Sequence, residues 1–110
     1  MSARILRIAQ LNDALRTSFV GGEVVITSGI ASLDDVTRAI ILSRVQGFTG
    51  FTPDNDPHGE RDFGSFDLPD AERVFWKIDY YDRNLEYGSE DPANPAITRR
   101  VLTIMLASEY

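Results

Sequence analysis

Cysteine is absent from the 110 residues, and that absence removes disulfide frameworks, thiolate zinc sites and cysteine nucleophiles together. Histidine and lysine occur once each, as His58 and Lys77. General acid–base chemistry near neutral pH would have to centre on His58 or on a carboxylate with a raised pKa. A metal would have to be held by oxygen or by His58. Long apolar runs are also missing: Ala39 to Leu42 and Leu102 to Ala107 fall far below the length that spans a bilayer. The start, Met1-Ser2-Ala3-Arg4, leads into an amphipathic pattern and not into an apolar block. A cytoplasmic protein without a membrane segment is therefore expected.

Chemistry-bearing motifs are scarce as well. No G-x-S-x-G elbow, phosphate-binding glycine loop or dinucleotide fingerprint occurs. Ser65, His58 and Asp62 or Asp79 could formally make a triad, but no local pattern supports one. Positive charge is short and unevenly placed. Residues 1 to 49 hold five Arg against four acids, whereas residues 50 to 110 hold six Lys+Arg against thirteen acids, so the net charge of −6 belongs to the second half. Phosphate neutralisation needs a basic stripe, so direct nucleic-acid binding is not expected. A cation or a protein with a basic surface suits the charge better.

What is present reads as one domain over residues 1–110, with 43% hydrophobic and 25% charged residues, both ordinary for a globular chain. Ile5, Ile8, Leu11 or Asn12, Leu15 and Phe19 recur at helical spacing, with Arg4, Arg7, Asp13 and Arg16 elsewhere, which predicts a helix over 3–19 stopped by Gly21-Gly22. Glu23 to Thr27 is β-branched and reads as a short strand. Ser32 followed by Asp34 and Asp35 predicts the start of a second helix, whose apolar positions Leu33, Val36, Ala39, Ile40, Val45 and Phe48 run to about Gly47, with a face around Ile40, Ile41 and Leu42 wide enough to be largely buried.

Phe63 to Leu68 and Arg73 to Tyr81 flank the turn Pro69-Asp70-Ala71-Glu72 as a β-hairpin. In its second strand Val74, Trp76, Ile78 and Tyr80 share one face, and Phe75, Lys77, Asp79 and Tyr81 the other. Trp76 belongs to the core on this reading, and Lys77 pairs with a nearby acid across or along the hairpin. Arg100 to Ala107 is read as a further strand, although Leu, Met and Ala also favour helix. The expected fold is α+β, with two helices packed on one face of a small, mostly antiparallel sheet of three to four strands. An exposed strand edge such as that of residues 23–27 would permit a homodimer.

The unusual polar feature is the loop 54–62, where Asp54, Asp56, His58, Glu60 and Asp62 stand two residues apart. Against the calcium loop D-x-[DN]-x-[DN]-G-x5-E, Asp54, Asp56, Gly59 and Asp62 fit, but His58, Pro57 and Ser65 do not. The same residues could instead form a rigid loop of Asx turns. A second acidic stretch holds Asp82, Glu86, Glu90 and Asp91 beside Tyr81 and Tyr87. The hairpin returns the end of its second strand to the loop that precedes residue 63, so both stretches are expected at one end of the sheet.

The strings at 51–60, 75–82, 88–92 and 100–106 (FTPDNDPHGE, FWKIDYYD, GSEDP and RVLTIML) resemble a proteobacterial family of small uncharacterised proteins, a domain of unknown function. The resemblance implies carriage on plasmids or other mobile elements and brings no catalytic residues. The leading expectation is an acidic, cofactor-free interaction module. It would act as an inhibitor or regulator binding a basic protein surface through Asp54, Asp56, His58, Glu60, Asp62, Tyr81, Asp82, Glu86, Tyr87, Glu90 and Asp91. The alternative is a metal-dependent hydrolase with Mg²⁺, Mn²⁺ or Ca²⁺ on Asp54, Asp56 and Asp62.

Overall fold

In the computed structural model, which describes residues 2–69 and 71–110, the chain opens with helix α1 (Ala3–Ser18). Ser2 caps it by accepting a hydrogen bond from the Ile5 amide at 3.1 Å, which satisfies one of the first-turn donors that have no intrahelical partner. The helix does not wait for the glycine pair to end. Phe19 takes the left-handed conformation with φ 60° and returns its N–H to Leu15 O, a cap more often built on glycine, while its ring packs against the core. Gly22 has a different role. A Cβ there would lie 2.6 Å from Arg100 O, so only glycine lets the chain pass this close to the neighbouring strand.

Strand β1 (Glu23–Ile26), a single helical turn α2 (Ser28–Ala31) and helix α3 (Asp35–Gln46) follow. The expected helix start at Ser32 is displaced. Ser32 closes α2 by donating to Ser28 O, and Asp34 caps α3 by accepting from the Thr37 amide at 2.7 Å. The carboxylate wins this place because it accepts a charge-assisted bond at the positive end of the helix. Strands β2 (Phe63–Phe66), β3 (Val74–Tyr81) and β4 (Arg99–Leu106) complete the sheet, and a 3₁₀ turn at Ala107–Glu109 follows β4. Asp70, in the expected hairpin turn, lies outside the described residues.

The strand order is β1-β4-β3-β2, with β1 parallel to β4 and the other neighbours antiparallel. This is the expected α+β arrangement, and β4 is a strand because its alternation meets β3 over eight register pairs. Leu15, Ile30, Ile41, Val45, Phe66, Val74, Trp76, Ile78, Leu102 and Ile104 form the core between helices and sheet. Trp76 is fully buried, with Phe48 and Phe51 edge-on at 5.5 and 6.0 Å. The opposite sheet face carries Phe63 and Phe75, joined edge-on by Tyr110, and Lys77, which among the candidates Asp79, Asp67 and Glu72 pairs with Asp79 at 2.9 Å.

Two expectations about the helices need correction. The wide face of α3 is only partly covered: Ile41 and Val45 are buried, but Ile40 is 48% and Val36 71% exposed, because only one helix and the sheet lie against it. Arg16, placed by periodicity outside the apolar face, is 3% exposed. Its guanidinium donates to Val45 O, Gln46 O and Asp13 Oδ1, each at 3.1 Å. Buried charge is tolerated there because it answers the free carbonyls at the C-terminal end of α3.

Gly64 offers a local test of the packing. An added Cβ would lie 2.5 Å from Trp76 Nε1, and the rigid indole is enclosed by Phe48 and Phe51. Gly64→Ala is expected to cost about 1–3 kcal/mol by overpacking, read as a lowered urea midpoint. Ser65→Ala, on the open sheet face, is expected to change stability by less than about 0.5 kcal/mol.

Candidate functional site

A buried polar hub sits where α1 crosses the ends of β3 and β4. Asn12 is fully buried and Arg100 is 2% exposed. Arg100 Nε donates to Asn12 Oδ1 at 2.9 Å. Asn12 Nδ2 in turn donates to Tyr80 Oη at 2.8 Å and to Glu60 O at 3.0 Å, and the Tyr80 hydroxyl donates to Glu60 Oε1 at 3.0 Å. Arg100 also donates through Nη2 to Pro92 O and stacks over the Tyr80 ring. The loop before β2 and the loop before β4 are thus tied to the same three side chains.

Burial governs the electrostatics here. It holds the Tyr80 phenol protonated well above its ordinary range, with the Asp62 and Glu60 carboxylates adding to the effect. It also lowers the Arg100 guanidinium from its usual value. Asp62 is raised, first by burial and then by the neighbouring charge of Glu60, because each of these makes a further negative charge less favourable.

The first loop is a set of turns. Asn55 Oδ1 accepts from the Thr52 amide at 2.8 Å, and Asn55 Nδ2 donates to Gly50 O at 2.8 Å. Asp56 accepts from the Arg61 amide at 3.1 Å, and the Gly59 N–H reaches Asp56 O. Gly59 and Arg61 both have positive φ, 71° and 56°. Arg61 is held in that conformation by Asp56 behind it and by an ion pair with Asp13 at 2.9 Å. Among the described residues, no three His, Asp or Glu side chains gather closely enough to hold a metal ion. Ile5, Phe51, Asp56, His58 and Arg61 line a shallow cleft between this loop and α1.

The second loop is a stiff projection. Asp82 Oδ1 accepts from the amides of Asn84 and Glu86, each at 3.1 Å. The Asp82 amide donates to Tyr87 O at 2.8 Å, and the Ser89 amide to Tyr80 O at 3.0 Å. Leu85 turns the tip in the left-handed conformation, φ 58°. What this frame displays is Tyr87, 73% exposed, with Leu85 and Ile97 each 39% exposed. Tyr87, Glu90, Asp82, Arg83, Asn84 and Ile97 share one shallow cleft.

The acids separate into two groups. Glu60, Asp56, Asp82 and Asp91 are engaged: Asp91 accepts from the Ala93 amide and pairs with Arg4 at 3.3 Å. The side chains of Asp54, Glu86 and Glu90, like that of His58, make no hydrogen bond or ion pair among the described residues. Tyr81 is half-buried on the open sheet face, bridged to Gly88. The first turn of α1 reaches both loops, through Ile5 on one side and Arg4 on the other. Asn12 and Arg100 were not among the expected site residues. Their signal was a polar side chain in core phase: Asn12 on the apolar face of α1, and Arg100 alternating with Leu102 and Ile104.

Removing the hub should be costly. Asn12→Ala strands the Arg100 Nε and removes the donor to Tyr80 Oη, and is expected to cost about 3 kcal/mol, against about 1 kcal/mol for Tyr80→Phe, both measured by urea titration. Asp62 gives a pH signature. A carboxyl whose folded pKa lies above its unfolded value contributes stability below the ordinary pKa of 3.8, and loses that contribution as pH rises through the folded value. Asp62→Asn is therefore expected to be more stable than the natural chain at pH 7, with the gap closing on acidification. Urea midpoints measured across that range would show it.

Comparison with curated proteins and with solved structures finds no match. Residues 26–109 match the model of a family described as "Protein of unknown function (DUF3768)", which covers β1's last residue through the 3₁₀ turn and includes both loops and the hub residues Glu60, Tyr80 and Arg100. The chain belongs to this family.

Proposed function

We propose that this chain is a small acidic protein-interaction module whose 82–91 loop docks on a basic protein surface. The observation that carries the reading is the preorganised display of Tyr87. A 73% exposed aromatic stands between two acids without internal partners, Glu86 and Glu90, on a loop held by Asp82 and tied back to β3. Exposed tyrosine anchors contribute strongly to binding, and a loop already ordered in the free state loses little entropy on association. The left-handed Leu85 costs on the order of 1–3 kcal/mol, which the Asp82 bonds across the turn offset.

Asp54, His58 and the rest of the 54–62 loop would form the flank of this surface, joined to it by the first turn of α1 through Ile5 and Arg4. Charges at such a rim act mainly by steering approach and rejecting acidic partners. A module of this kind works by occupancy. As an inhibitor or regulator it would cover the basic surface that its partner uses for another ligand, and the mobile-element setting implied by the family resemblance accords with that role. Nothing in the 54–62 loop favours the hydrolase reading over this one.

Photo-crosslinking from position 87 in cells, with position 36 as the control, would identify the partner. Tyr87→Ala is then expected to weaken the purified complex tenfold or more, about 1.4 kcal/mol. Glu86→Gln with Glu90→Gln should flatten the salt dependence of association. A partner captured equally from position 36, or an affinity indifferent to both changes, would overturn the reading.

A further inference from the structure

We infer that two copies of this chain join through the outer edge of β1 as an antiparallel pair, extending each four-stranded sheet into one of eight strands. β1 is an edge strand, bonded on one side to β4. The Thr27 amide donates to Ile104 O at 3.1 Å. By the two-residue period of a strand, the backbone groups of Val25 and Glu23 also face β4, and those of Val24 and Ile26 face outward. The Val24 and Ile26 N–H and C=O groups have no hydrogen-bond partner among the described residues beyond the sheet's own ladder. They form a row of two donors and two acceptors that is complementary to itself.

A two-fold axis through Val25 satisfies all of them. Val24 of one copy then exchanges both backbone bonds with Ile26 of the other, and the reverse pair does the same, for four bonds in all. Val25 meets its own counterpart as the non-hydrogen-bonded pair, the closer of the two kinds, at about 4.5 Å between Cα atoms. Its side chain suits that place: it is 42% exposed on the open sheet face, in register with Thr103. Ile26 is 38% exposed on the helix side and would meet Val24 of the partner.

Apart from its length of four residues, the usual protections of a sheet edge are missing from β1. The strand has no lysine, proline or bulge. Its only charge, Glu23, is paired with Arg99 and would stand opposite Thr27 of the second copy. The other edge, β2, is better guarded. Asp62 precedes it, and Asp67, paired with Arg73 at 2.9 Å, follows it. The contact is short, well below the roughly 800 Å² per partner of a standard interface, so the dimer is reversible. It shares no residue with the 82–91 loop and stands apart from the docking reading.

Absence of cysteine makes the test clean. Val25→Cys introduces a lone thiol, and Cα atoms about 4.5 Å apart lie within disulfide range. Under mild oxidation this variant is expected to form a covalent dimer at least tenfold faster than Val36→Cys, whose thiol would sit on the exposed face of α3. In sedimentation over about 1 μM to 1 mM, Val25→Lys should raise the dimer dissociation constant at least tenfold, while circular dichroism shows the fold retained. Mixing Val25→Lys with Val25→Glu should restore a dimer that neither forms alone, since opposite charges then face each other across the axis. A monomer at every concentration, a dimer indifferent to Val25→Lys, or faster crosslinking at position 36 would overturn the inference.

Discussion

The bond network of Asn12, Arg100, Tyr80 and Glu60 is the constraint on which the placement of both polar loops depends. Arg100 is a charge buried at 2% exposure, and such a group persists only where its donors are answered. Asn12 Oδ1 and Pro92 O answer two of them, and the Tyr80 ring covers the guanidinium face. Asn12 then spends both amide protons on Glu60 O and Tyr80 Oη. Since Glu60 ends one long loop and Pro92 lies in the other, each loop has its position set by a side chain from the core layer.

Arg16 does for the helices what Arg100 does for the loops. It caps the carbonyls that close α3, leans on Phe51 and Trp76, and shares Asp13 with Arg61. The first loop is therefore gripped where it enters β2, at Arg61 through Asp13 and at Glu60 through Asn12. Asn55 and Asp56 fix its middle. In this loop Asp56 holds the backbone at the Arg61 amide, and Glu60 receives the Tyr80 hydroxyl. The 82–91 loop divides the labour differently, with Asp82 holding the backbone and Glu86, Tyr87 and Glu90 left to solvent.

The elements were largely legible, because period and punctuation are local. The helix at 3–19, the strand at 23–27, the hairpin and the strand at 100–107 follow from apolar spacing, and Trp76 in core phase was placed correctly. Ser32 misled because Asp34, two residues on, is the stronger acceptor for an N-terminal amide. Arg16 misled because a charge at a core position is read as surface unless its partners, the carbonyls of α3, are known. Val36 and Ile40 misled in the opposite sense: an apolar side chain is buried only if something lies against it.

The candidate surface was legible as a list of acids and not as an arrangement. Composition alone concentrated negative charge in the second half, excluded thiol chemistry, and marked 54–62 and 82–91 as the polar segments. Which carboxylates cap turns, which pair with Arg4 or Arg61, and which stay free depends on contacts between residues as distant as Asn12 and Arg100. Secondary structure is written in neighbours a few positions apart. The display of Tyr87, the burial of Asn12 and the open edge of β1 exist only once the sheet has closed on α1, and that is where tertiary structure alone decided.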